Sequence, residues 1–130
     1  MAMDLDKLIK EDFVRFREKV IDGVKARHPH IFTAVNTMLS SKENKIGLQV
    51  LESGNIAGEY TITLKGVRIA SVDSGKLLSE IHHPMFGVIR PYLVIERSHL
   101  EQIIKDEGFF NDLSATAPKY LPGLTIKFMP

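Results

Sequence analysis

The chain of 130 residues has no cysteine. That excludes disulfides, thiolate metal centres, iron–sulfur clusters and a cysteine nucleophile. There is no tryptophan either. Charge of one sign is also lacking, because 17 Lys and Arg against 16 Asp and Glu leave a net charge of +1. Duplex DNA would normally demand a larger basic excess, so no nucleic-acid partner is expected. No apolar run approaches the ~20 residues of a membrane span, so integral membrane association is not expected. The start, Met1-Ala2-Met3-Asp4-Leu5-Asp6, lacks the basic region and apolar stretch of a signal peptide. The end, Lys127-Phe128-Met129-Pro130, carries no peroxisomal tripeptide. A cytoplasmic location is the expectation.

What is present is an ordinary globular composition, 44% apolar and 25% charged, with length enough for one hydrophobic core. A single domain over 1–130 is expected, with a helical segment at 5–40 and the sheet with further helices over 45–129. Leu5, Leu8, Ile9, Phe13, Phe16, Val20 and Val24 recur mostly every three or four residues among charged ones. That is the apolar stripe of a solvated helix. Gly23 weakens it and Pro29 breaks or kinks it. Ile31, Phe32, Val35, Met38 and Leu39 form a second stripe, and 40–44 a polar loop.

The period then changes to two. Ile46, Leu48 and Val50, then Tyr60, Ile62 and Leu64, then Val67 and Ile69 alternate with polar or small residues. Turns at 52–55 and Lys65-Gly66 join them into an antiparallel meander. Residues 73–90 are ambiguous, with a helical turn at Leu77, Leu78 and Ile81 stopped by His82-His83-Pro84. A fourth strand follows Pro91. Ser98 with Glu101 reads as a capping box that opens a helix bearing Leu100, Ile103 and Ile104, with Gly108 as its stop. Residues 114–118 read as a connection and Leu124, Ile126 and Phe128 as a last strand. Grouped helices and strands give an α+β fold, a five-stranded mostly antiparallel sheet with helices packed on one face.

Chemistry is sparse. Asp73-Ser74-Gly75-Lys76 resembles the tail of a phosphate loop, yet position 70 is Ala and Leu77 stands where Ser or Thr is needed. His28, His30, His82, His83 and His99 show no H-E-x-x-H spacing, and exposed loop histidines explain them, so no metal is expected. Ser74, Ser79 and Ser98 show no nucleophile elbow. Asp106-Glu107 and Glu11-Asp12 diverge on a helix. No catalytic residue and no cofactor is assigned. Apolar residues do fill connections that are normally polar: Met85, Phe86, Val88 and Ile89, and then Phe109, Phe110, Leu113, Tyr120 and Leu121. They either close a second core or line an apolar cavity.

Three stretches resemble the sterol carrier protein type two family: 45–67 as strand–turn–strand–turn–strand, 91–104 as strand then amphipathic helix, and 123–128 as closing strand. The resemblance spans roughly residues 8–128. It implies a five-stranded sheet with helices on one face around an apolar tunnel, and non-catalytic binding or transfer of a fatty acid, acyl chain, sterol or other lipid. Candidate ligand-binding residues are Phe86, Ile95, Leu100, Ile103, Ile104, Phe109, Phe110, Leu113 and Leu121, with Arg90 or Arg97 for a polar head. Two departures stand out. Residues 73–90 are longer and more apolar than the family's link, and the helix that often follows the last strand is missing after Pro130. Residues 77–90 or a second subunit would then cover the opening. The alternative reading is a ligand-free homodimeric interaction module, and an enzyme using His82 and His83 ranks last.

Overall fold

A computed structural model describes residues 2–40, 43–83 and 85–129. The N-terminal stripe forms one helical run: α1 (Ala2–Lys7), a π-helical turn (Leu8–Phe13) and α2 (Val14–Arg27). His28 leaves helical geometry, and α3 (Pro29–Ser40) starts on the proline. Proline suits a first helical position because its missing N–H has no partner there. The polar loop expected at 40–44 falls in part on Ser41 and Lys42, outside the described residues. Ser40 ends α3, and Glu43 already starts β1.

The meander is β1 (Glu43–Glu52), β2 (Asn55–Lys65) and β3 (Arg68–Ser74). The strand after Pro91 is β6 (Pro91–Glu96), and the last strand is β7 (Leu124–Phe128). The five-stranded sheet runs β3-β2-β1-β6-β7. It is mostly antiparallel, with β1 and β6 as the parallel pair. Register places Leu48 beside Tyr60 and Leu93, and Val50 beside Ile95. Leu5, Leu8 and Ile9 bury themselves on that face, with Leu100 of α4 (Arg97–Lys105) beside them. Tyr60 is buried there and its hydroxyl donates to Asp6 at 2.6 Å. Burial and that carboxylate push its phenol well above the usual range.

The β2–β3 turn is fastened to the helices. Gly66 has φ +61°, and a Cβ there would sit 2.2 Å from Asn36 Oδ1, so glycine is required on two counts. Arg68 reaches Glu18 at 2.6 Å and Asp22 at 2.7 Å on α2.

Four expectations are corrected. Residues 77–80 are extended after a bend at Gly75-Lys76, not helical: Leu77 and Ser79 are buried while Leu78 between them is exposed, a period of two. This segment crosses the sheet face opposite the helices. Ser79 Oγ accepts from Gly47 N at 2.6 Å, and Thr61 Oγ1 accepts from Leu78 N at 2.8 Å. A hairpin follows, β4 (Ile81–His83) with β5 (Gly87–Ile89). Pro84, part of the expected stop, lies outside the described residues. Second, α4 begins at Arg97 with Glu96 as an extended cap and no side-chain capping bond. β6 runs straight into α4, so Ser98 is already inside the helix and Glu101 takes Arg97 Nε at 3.1 Å. Third, α4 ends at Lys105, and Gly108 opens α5 (Gly108–Asn111) rather than stopping α4. Fourth, the connection expected at 114–118 lies in α6 (Leu113–Tyr120), with Pro118 inside it. Among the described residues, no helix is long and apolar enough to cross a membrane.

Candidate apolar binding groove

Past Phe13, the stripe of α2 leaves the sheet and meets the short helices after α4. Phe16 is buried against two rings of α5. Its centroid lies 5.3 Å from that of Phe109, edge-on at 77°, and 5.6 Å from that of Phe110. Lys19 Nζ sits 5.0 Å from the centre of the Phe110 ring, a cation–π contact that holds the outer side of α5. Arg27 closes the far end. Its guanidinium donates to the carbonyls of Phe110 at 2.5 Å and Asn111 at 3.2 Å. A cation on the last carbonyls of a helix matches their partial negative charge.

α6 is set by local polar chemistry. Asp112 caps it by accepting from Ala115 N at 3.2 Å. Tyr120, at its end, donates to Asp106 Oδ2 at 2.6 Å, and Gly108 N donates to Asp106 Oδ1 at 2.8 Å. The phenol and the amide hold the Asp106 carboxyl below the usual carboxylate range, and Asp106 in turn pushes the Tyr120 phenol up. His99 Nε2 lies 2.9 Å from the Tyr120 carbonyl, which ties α4 to the same end. A Cβ on Gly108 would come within 2.4 Å of Thr116 Oγ1, so glycine lets α5 and α6 approach.

Between these walls runs a groove of about 570 Å³, open on one side. α2 and the start of α3 contribute Val20, Val24 and Ile31, and the opposite wall contributes Phe109, Phe110, Leu113, Ala117 and Leu121. Arg27, His28 and Asp112 add polar edges. Gly23 also lines it, and nothing lies within 4 Å of where its Cβ would be. That missing side chain is part of the space.

Of the residues singled out in the sequence, Phe109, Phe110, Leu113 and Leu121 meet at this groove. Ile95 and Leu100 are buried in the sheet core, and Ile103 and Ile104 pack against it, so none of these four lines the groove. Phe86 lies on the β4–β5 hairpin, 74% exposed. Arg97 is engaged with Glu101 and Glu52, and Arg90 is exposed outside the lining. The cation at the groove is Arg27. Sequence reading missed Val20, Val24 and Ile31 because a groove wall and a core face share one helical period. Gly23 interrupting an apolar stripe was the available signal.

The space lies between helices, with no strand residue in its lining among the described residues. A smaller hollow of about 230 Å³ on the opposite sheet face is lined by Gln49, Glu59, Leu77 and Tyr92 among others. Gln49 donates to Glu59 there at 2.9 Å. Among the described residues, no three His, Asp or Glu side chains converge as metal ligands. Ser79 is a structural hydroxyl, fully buried and bonded on both sides, accepting from Gly47 N and donating to the Pro91 carbonyl.

No protein-family model matches the chain, and no curated protein matches it. Among solved structures, it is similar to sterol carrier protein 2 from Yarrowia lipolytica in its apo form. The identity is 14%, the TM-score 0.37, and the match covers 86% of this chain and 79% of that one. A likeness of that degree adds no weight to the reading of the groove, which stands on its own geometry.

Proposed function

We propose that the protein is a non-catalytic carrier, working in the cytoplasm, that binds an apolar ligand such as a fatty acid, acyl chain or sterol in the groove between α2 and α5–α6. The observation that carries this reading is the groove itself. At about 570 Å³ it falls inside the ~300–1,000 Å³ usual for small-molecule sites, and its walls are mostly apolar with a few polar groups at the edges. Aliphatic and aromatic side chains left facing open space forgo contact energy that a ligand restores. Arg27 places a positive charge beside the apolar walls, where a carboxylate head would gain a charge-assisted bond.

The test uses Gly23. A Gly23→Leu variant puts a side chain into the space and should abolish uptake of a fluorescent long-chain fatty acid. Its stability should be unchanged or raised by ~1 kcal/mol, since leucine favours a helix interior over glycine. Native mass spectrometry of freshly purified protein, followed by solvent extraction, names the ligand class. A clean apo mass together with no uptake of the fatty acid by the unaltered chain would end the carrier reading.

A further inference from the structure

The β4–β5 hairpin has an unusual end. Hairpin connections normally take Gly, Asn or Asp, for backbone freedom and solvation. Here Met85 is 82% exposed, Phe86 74% and Val88 43%. The hairpin is held from its β4 side. Lys45 and Glu80 exchange backbone hydrogen bonds at 2.9 and 2.7 Å, and His82 N donates to Asn44 Oδ1 at 2.8 Å. The apolar end is therefore carried on a short, anchored arm at the start of β1.

We infer that this hairpin end is a membrane-docking wedge, with Met85, Phe86 and Val88 entering the interfacial region of a lipid surface. Three properties favour lipid over protein. The exposed apolar area is small, about 400 Å² at the 150–250 Å² a large side chain can bury, half of the ~800 Å² per partner a stable protein interface needs. The side chains stand at the end of an arm rather than in a groove, and a bilayer interface accepts such a shape at a depth of ~5–10 Å. The charge next to the arm suits an anionic surface: Arg90, directly after β5, is exposed. The inference does not depend on what the groove holds.

The absence of tryptophan makes the test clean. Phe86→Trp gives the chain one indole at the wedge, and Ile56→Trp gives one at a second exposed apolar site, 61% exposed on β2. With vesicles of phosphatidylglycerol and phosphatidylcholine, the indole at 86 should shift to the blue and be quenched by brominated acyl chains, while the one at 56 does neither. Co-sedimentation of the Met85→Ser/Phe86→Ser double variant should fall about tenfold or more, with circular dichroism and fatty-acid uptake unchanged. Absence of vesicle binding by the unaltered chain, equal binding by the double variant, or a shift at 56 but not at 86 would overturn the inference. So would a stable dimer that the double variant converts to monomer, because the wedge would then be a contact between copies.

Discussion

The two ends of the N-terminal helical run face different neighbours, and the contrast explains the molecule. Leu5, Leu8 and Ile9 lie on the broad apolar face of the sheet and are buried, Ile9 completely. Val20 and Val24, farther along, with Ile31 at the start of α3, face two short helices across open space, and Ile31 remains 59% exposed. The residue types are similar at both ends. What differs is the opposing surface. Five strands present a continuous sheet, whereas α5 and α6 are separated by Asp112 and tied down at a few points by Phe16, Arg27 and Asp106. A wall of short helices cannot follow a long one closely, so a groove is left.

The largest expected effect tests the filled end. Ile9→Ala should cost ~2–5 kcal/mol in urea denaturation, and Leu121→Ala, at a side chain 59% exposed, well under 1 kcal/mol. Equal costs would erase the distinction between core and groove. Next comes the joint that shapes the groove. Gly108→Ala should cost ~1–3 kcal/mol, because the new methyl forces α5 from α6, and fatty-acid uptake should weaken with it. A neutral outcome would show that the two helices have slack there.

The smallest effect is acid sensitivity of the groove end. Asp106 titrates lower in the folded protein than in the unfolded chain. Its stabilisation is therefore complete above the unfolded value, about 4, and is lost as pH falls through the folded one. Protection of the α5 and α6 amides, taken relative to the intrinsic exchange rate at each pH, should fall below about pH 4 more than protection in β1 and β2. Tyr120→Phe removes the donor, so the Asp106 titration followed by NMR should move up toward the ordinary carboxylate range. An unmoved titration would mean that the Gly108 amide alone holds it down.

Sequence reading was strongest where one face of an element meets a broad surface. The meander, the strand after Pro91, the closing strand and the apolar helices were legible because each repeats a period set by its own backbone geometry. It was weaker where local signals competed with packing. Ser98 and Glu101 match a capping box, but the direct run of β6 into α4 moved the cap to Glu96. Gly108 matches a helix stop, but the nearness of Thr116 explains it better.

By itself, then, the sequence determined the α+β class, the five strands and the apolar surplus at Met85–Ile89 and Phe109–Leu121, because pattern and composition are local properties of a chain. Tertiary structure alone decided how that surplus divides. It sent Ile95 and Leu100 into the core, Phe109 and Leu113 to a groove with Val20 and Val24, and Met85 and Phe86 to the end of an arm. Whether an apolar side chain ends in contact, at a cavity or in solvent depends on what lies opposite it, and the partner here comes from residues remote in sequence.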